Sequence, residues 1–201
     1  MPSLPRDQRG RCGVLVCRGS AGQARARVTA GVGDACYEGP VMDDEIIERL
    51  REHHAGELPP PAPPEAVSEL EAVVGHSMPL LLKRIYLEVA NGGFGRWGGA
   101  LSLTEDTDDP PVLEAYSEWA KGCGVGYPTS VVPLLTWGCA IWSLVDFSTA
   151  EGRMWGWDPN VRCLRHALFP EDFTLADRLT GWLDGREDFP QPPAPTDCPD
   201  C

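Results

Sequence analysis

Apolar positions recur at helical spacing in four stretches of the chain. Val67, Leu70 and Val74 stand at i, i+3 and i+7, one stripe of a helix predicted over about 65–74, with prolines at its entry and Gly75 at its end. Met78-Pro79 opens a second, predicted to about Ala90: Leu81, Ile85 and Val89 make the stripe, Leu82 and Tyr86 broaden it, and Lys83, Arg84 and Glu88 are left for water. Asn91-Gly92-Gly93 stops it, because Asn and Gly tolerate the left-handed backbone that terminates helices. Val112, Leu113, Tyr116 and Trp119 predict a third helix over 112–121. Phe173, Leu175, Leu179 and Leu183 predict a closing one over 173–183, with Thr174 as a cap and Gly185 as the stop. A further helix is signalled by charge: Asp43, Asp44 and Glu45 precede Ile46, Ile47 and Leu50, and Arg49, Arg51, His53 and His54 crowd the far end before Gly56. That is the polarity a helix dipole favours.

Elsewhere the pattern is that of strands and turns. Val131–Trp137, Ala140–Phe147 and Arg153–Trp157 are rich in β-branched and aromatic residues, and Gly138-Cys139 and Glu151-Gly152 are turns between them, predicting an antiparallel meander. Phe94 to Leu103 reads as turns plus a short strand at Leu101–Leu103, followed by an acidic loop of Glu105, Asp106, Asp108 and Asp109 up to Pro110-Pro111. The segment from Leu58 to Pro64 is a stiff polyproline spacer that no helix can cross. Residues 1–41 have neither period and too little apolar content to fill a core. They are expected to be a disordered arm, or a mis-assigned extension upstream of an initiator at Met42. From Phe189 the tail, with prolines at 190, 192, 193, 195 and 199, is expected to be disordered, so the predicted domain spans 42–188.

Charge sharpens this division. The 201 residues carry 17 Lys+Arg and 30 Asp+Glu, a formal net charge of −13. Residues 1–30 hold six arginines and one aspartate, whereas from Met42 onward 11 bases face 27 acids, a balance of −16. A surface this negative repels a phosphate backbone, which excludes nucleic acid as a partner of the body and favours a basic protein. The longest apolar runs fall far short of the roughly 20 residues needed to cross a bilayer, and the N-terminus lacks a signal peptide's apolar core. No membrane partner is expected, and the chain reads as cytoplasmic.

The eight cysteines, at 12, 17, 36, 123, 139, 163, 198 and 201, are too scattered for a small secreted framework, and free thiols are expected. Cys198-Pro-Asp-Cys201 could be half of a zinc site. Its possible co-ligands Cys12, Cys17, His53 and His54 lack the matching spacing, so no metal and no cofactor is expected.

The order of these features resembles the SMI1/KNR4 (SUKH) family. The residues that carry the resemblance are Pro64–Gly75, Met78-Pro79 with Leu82 and Tyr86-Leu87, the Asn91-Gly92-Gly93-Phe94-Gly95 stop, Leu135-Thr-Trp-Gly138 before a strand ending in Asp146, and Phe173–Leu183. The resemblance implies an α+β fold in which several helices pack on a twisted antiparallel sheet. It also implies a non-enzymatic role, since bacterial members are typically immunity proteins that bind and neutralise a polymorphic toxin, often a nuclease. Where many relatives continue with an acidic or amide-bearing segment, this chain has Trp155-Gly-Trp157-Asp158-Pro-Asn160.

The residues themselves leave two readings. In the first, Glu105, Asp106, Asp108 and Asp109 mimic phosphates before a basic partner, with Asp146 and Asp158 adding charge and Trp142, Trp155 and Trp157 supplying amphipathic anchors. The plainer account of the same residues is a solvated acidic loop and core tryptophans. In the second reading the chain is a small hydrolase or metal-dependent enzyme using Asp146, Asp158 and the pair Cys163 and His166, for which no partner spacing is recognisable.

Overall fold

The computed structural model describes residues 39–53, 56–95, 99–104, 109–121, 127–161, 164–186 and 189–192. The fold is α+β, a four-stranded antiparallel sheet with five α-helices among these residues. Helix α1 runs Gly39–His53, α2 Pro64–Val74, α3 Leu80–Glu88 and α4 Val112–Lys121; then come β1 Val131–Thr136, β2 Trp142–Asp146, β3 Arg153–Trp157, a 3-10 turn Leu164–His166, β4 Leu168–Thr174 and α5 Leu175–Leu183.

The sheet is a meander in the order β1-β2-β3-β4. Val131 pairs with Asp146, Trp142 with Trp157, and Trp157 in turn with Leu168. Alternation sorts the strand residues onto two faces. Val132, Leu134, Val145 and Met154 enter the main core with Ile46, Ile47 and Leu50 of α1, Val67 and Leu70 of α2, Leu82 and Ile85 of α3 and Leu175 and Leu179 of α5. Val131, Leu144 and Trp157 belong to a smaller second cluster on the other face. Gly156 explains how β4 seats on β3: a Cβ there would lie 2.3 Å from the Phe169 ring, so only a bare α-carbon admits the phenyl group.

Three expectations need correction. Helix α1 begins at Gly39, not at Met42, because Pro40 falls in the first turn, where its missing N–H costs no hydrogen bond. Asp43 consequently lies a turn further in and is buried. Leu101–Leu103 is no strand. Ala100 bridges to Leu135 and the Leu101 N–H donates to the Leu134 carbonyl at 2.9 Å, which covers part of the outer edge of β1. Strand β4 was not expected at all, since Pro170, Glu171 and Asp172 are poor strand formers. They are tolerated because β4 is an edge strand, where proline and charge discourage pairing with other chains. Phe173 therefore belongs to β4, and α5 starts at Leu175 behind a capping box in which the Thr174 hydroxyl accepts from the Asp177 N–H and the Asp177 carboxylate accepts from the Thr174 N–H.

The proline-rich spacer is docked along the body. Ala62 is buried and its N–H donates to the Tyr86 carbonyl at 2.8 Å, while the Pro60 carbonyl accepts from Asn91 N–H at 2.9 Å. The helix stop that follows is folded tightly: at Gly99 a Cβ would come within 2.5 Å of the Gly93 carbonyl group, and its φ of +74° suits glycine alone. Asn91 holds this turn together, its amide donating to Thr104 Oγ1 at 2.7 Å and its side-chain oxygen accepting from Leu103 N–H at 2.8 Å. Phe189 meets the Trp137 ring edge-on at 5.3 Å and Pro190 is buried, so the tail packs at its first two residues. Residues 1–38 and 193–201 lie outside the described residues.

Candidate functional site

The sheet brings three of the expected contact residues together. Trp142 and Trp157 are paired across β2 and β3, and Trp155 stands opposite Leu144 on the same face. Helix α4 delivers Trp119, which stacks on Tyr127 at 5.0 Å, and Tyr127 meets Trp157 edge-on at 5.3 Å. Trp157 is only 6% exposed and is therefore core, which corrects its expected part as a contact anchor: a side chain without surface cannot touch a partner. Trp142 and Trp155 keep part of their surface.

The two carboxylates that would make an acid/base pair stand at opposite ends of these strands. Asp146 closes β2, and Asp158 follows Trp157, whose pairing partner is Trp142 at the start of β2. Four residues of strand lie between them, a separation of about 17 Å at strand rise. Each is tied locally. Asp146 Oδ1 accepts from Ser148 N–H at 2.8 Å and Ser148 Oγ at 2.7 Å, and its carboxylate also accepts from the side chains of Ser130 and Trp155. Burial alone would raise its pKa, but these donors outweigh burial and hold it below the usual carboxylate range. Asp158 Oδ1 accepts from the N–H and the amide of Asn160, whose amide also donates to the Cys139 carbonyl at 3.0 Å. Both are turn staples. His166 is half-buried in the 3-10 turn, and Cys163 lies outside the described residues. Of the acidic loop, Asp109 is half-buried, while Glu105, Asp106 and Asp108 lie outside the described residues.

Among the described residues, most basic side chains stand in ion pairs, largely at the surface. Arg84 donates to Asp44 and Glu88, Arg51 pairs with Glu48 and Glu88, Arg49 with Asp184, Lys83 with Glu71, Arg153 with Glu151 and Arg178 with Glu171. Exposed acids such as Glu45, Glu52, Glu65, Glu69, Glu114 and Glu118 are set on the outer faces of α1, α2 and α4.

One cleft was not foreseen. Between the end of β1 and helix α5, a shallow cleft open to solvent is lined by Leu135, Trp137, Arg178, Leu179, Trp182 and Arg186, among others. Arg178 is 3% exposed; its Nη2 donates to both Glu171 oxygens at 2.9 Å, and the guanidinium lies 4.3 Å from the Phe173 ring centre and 5.6 Å from that of Trp137. The sequence did hold a signal: Arg178 sits at i+3 from Leu175, on the apolar stripe of α5, where a base must be buried and paired. No cluster of potential metal ligands occurs among the described residues.

Cys139 also departs from expectation. It is disulfide-bonded, not a free thiol; the other seven cysteines all lie outside the described residues. It sits at the exposed tip of the β1–β2 hairpin, where Gly138, Cys139 and Ala140 all have left-handed backbone, φ +77°, +51° and +61°. Thiols far apart in sequence pair only when folding brings them together, which residue spacing does not reveal.

This architecture defines an α+β protein whose four-stranded meander carries helices on one face and an aromatic cluster on the other. In comparisons with known proteins, no family model, no curated protein and no solved structure matches the chain.

Proposed function

We propose that the chain is a protein-binding module of the SMI1/KNR4 (SUKH) type, an immunity protein that covers the basic active site of a polymorphic toxin, such as a nuclease, with an acidic surface. The observation that carries this reading is the exposed set Glu45, Glu52, Glu65, Glu69, Glu114 and Glu118, whereas Arg49, Arg51, Lys83, Arg84, Arg153 and Arg178 each already face a carboxylate. The field of such a set accelerates encounter with a basic partner and disfavours nucleic acid. Glu105, Asp106, Asp108 and Asp109 supply the charged contacts, and the exposed parts of Trp142 and Trp155 exclude water at their edge. The role is non-enzymatic. The competing reading, a hydrolase built on Asp146 and Asp158, asks two carboxylates at opposite ends of β2 and β3, each held by its own turn, to act on one substrate.

The test is binding to the toxin domain encoded in an adjacent reading frame. Its association rate is expected to fall by about tenfold or more as salt rises from low to near-physiological ionic strength. Replacing Glu105, Asp106 and Asp108 together by lysine is expected to cost a similar factor. A complex indifferent to salt and to these substitutions, or small-molecule turnover without any protein partner, overturns the reading.

We also place the protein in the cytoplasm. No helix among the described residues is long and apolar enough to cross a membrane. The Cys139 disulfide opposes this placement, because disulfides persist mainly in oxidising compartments. Alkylation of thiols in freshly lysed cells decides: Cys139 modified supports the cytoplasm, and Cys139 protected as a disulfide refutes it.

A further inference from the structure

The cleft between the end of β1 and α5 is opposite in sign to the acidic helix faces. Among the described residues no carboxylate lines it; its walls are two indoles and two leucines, with the guanidiniums of Arg178 and Arg186. Both indoles are held in place. Trp137 Nε1–H donates to Ser143 Oγ at 2.9 Å, and the Trp182 ring meets His53 edge-on at 4.7 Å. Arg178, one turn before Trp182 on α5, is buried and balanced by Glu171. Arg186 differs. It is exposed and forms no ion pair among the described residues, and the nearest described acid in sequence, Asp184, is taken by Arg49 at 2.6 Å. Its backbone is nonetheless fixed by a Schellman ending: the Arg186 N–H donates to the Gly181 carbonyl at 2.8 Å and the Gly185 N–H to that of Trp182 at 2.9 Å, with Gly185 at φ +79°. The helix end thus delivers an unbalanced cation to an aromatic slot.

We propose that this cleft docks an extended segment of a partner protein that carries an aromatic side chain and a carboxylate two residues apart. In an extended chain residues i and i+2 point the same way, so the ring enters between Trp137 and Trp182 while the carboxylate meets Arg186. Depth selects a peptide. A site for a free small molecule encloses most of its ligand, whereas a shallow, open cleft takes one side chain and leaves the backbone outside. Charge selects an acid, because Arg186 is the cation left to pair and no described lining residue repels a carboxylate. The chain itself shows what Trp137 accepts: the Phe189 ring packs on it edge-on at 5.3 Å. Indoles already held in place lose little freedom on binding, which favours a short segment. The cleft and the acidic face have opposite signs and different ligands, so either can fail its test without the other.

The experiment uses the full chain labelled with nitrogen-15, in which each of the seven tryptophans gives its own indole N–H resonance. The probe is the peptide acetyl-Ser-Phe-Ser-Asp-Ser-amide. Titration to millimolar peptide is expected to shift the indole signals of Trp137 and Trp182 and to leave Trp119 and Trp157, in the separate cluster, unmoved. Serine in place of the peptide's phenylalanine is expected to weaken binding by about tenfold or more. Lysine in place of its aspartate is expected to weaken binding by about three- to fivefold, and Arg186→Glu to do the same to the parent peptide. Arg186→Glu with the lysine peptide is expected to return the affinity close to its starting value. Unmoved Trp137 and Trp182 signals at millimolar peptide overturn the docking site, as does a charge swap that recovers nothing. Phenylacetate binding as tightly as the peptide also overturns it, because the cleft then serves a free small molecule.

Discussion

At the scale of the residue, Asp146 is the clearest case of a carboxylate whose environment sets its chemistry. Four donors hold its charged form, so its folded pKa lies below that of the unfolded chain. Stability from this group is fully present above the unfolded carboxylate pKa and is lost as pH falls through the folded value. Urea unfolding of Asp146→Asn is accordingly expected to show a shallower loss of stability between about pH 5 and pH 3 than the parent, at a cost near neutrality of about 1–3 kcal/mol. Equal slopes in the two proteins would remove the charged role assigned to Asp146. Gly156 gives a steric counterpart. Gly156→Ala forces a methyl into the Phe169 ring and is expected to destabilise by about 1–3 kcal/mol. In the Phe169→Leu background, where the ring is gone, the same substitution should cost measurably less in a thermal or urea midpoint.

At the scale of the element, α5 is defined by its two ends. Thr174→Ala removes one half of the capping box and is expected to lower stability by about 1 kcal/mol, read from the urea midpoint at unchanged slope. Glu171→Gln is a different kind of change, because it removes a carboxylate that accepts from the buried Arg178 guanidinium beside Trp137 and Phe173. A loss of about 1–3 kcal/mol is expected, and Glu171→Gln with Arg178→Met should recover part of it. Recovery greater than either single variant alone would establish that the pair is coupled. Neither β4 nor the ion pair it carries was legible in advance. Pro170, Glu171 and Asp172 resemble a loop in every local respect, and only their position at the edge of a completed sheet makes a strand of them.

At the scale of the whole molecule, ion pairs of Arg49, Arg51 and Arg84 tie α1 to α3 and α5 at the surface. They contribute little to stability individually, being exposed and screened. The sign of the surface comes instead from the excess of acids over bases, 30 against 17. The exposed carboxylates of the described helices face solvent, and the salt dependence of association with the proposed basic partner is where that property is measured. The aromatic cluster beneath β2 and β3 bears on the same question from the other side: Trp157 supports the platform from within, and Trp142 and Trp155 reach its surface.

Local pattern was enough for the helices and the first three strands. The stripe Val67, Leu70, Val74, the cluster Leu81 to Tyr86 and the cap at Thr174 are written in neighbouring residues, because helical period and capping act over a few positions of chain. So was the meander, whose short turns leave adjacent strands little choice but to pair. What the tertiary structure alone decided depends on residues distant in sequence. It separated Asp146 from Asp158, buried Trp157, bonded Cys139 and set Arg178 against Glu171, Trp137 and Phe173. A side chain's surroundings form only when the sheet closes over them, and burial, which local period does not encode, fixes whether that side chain is a staple, a core filler or a site.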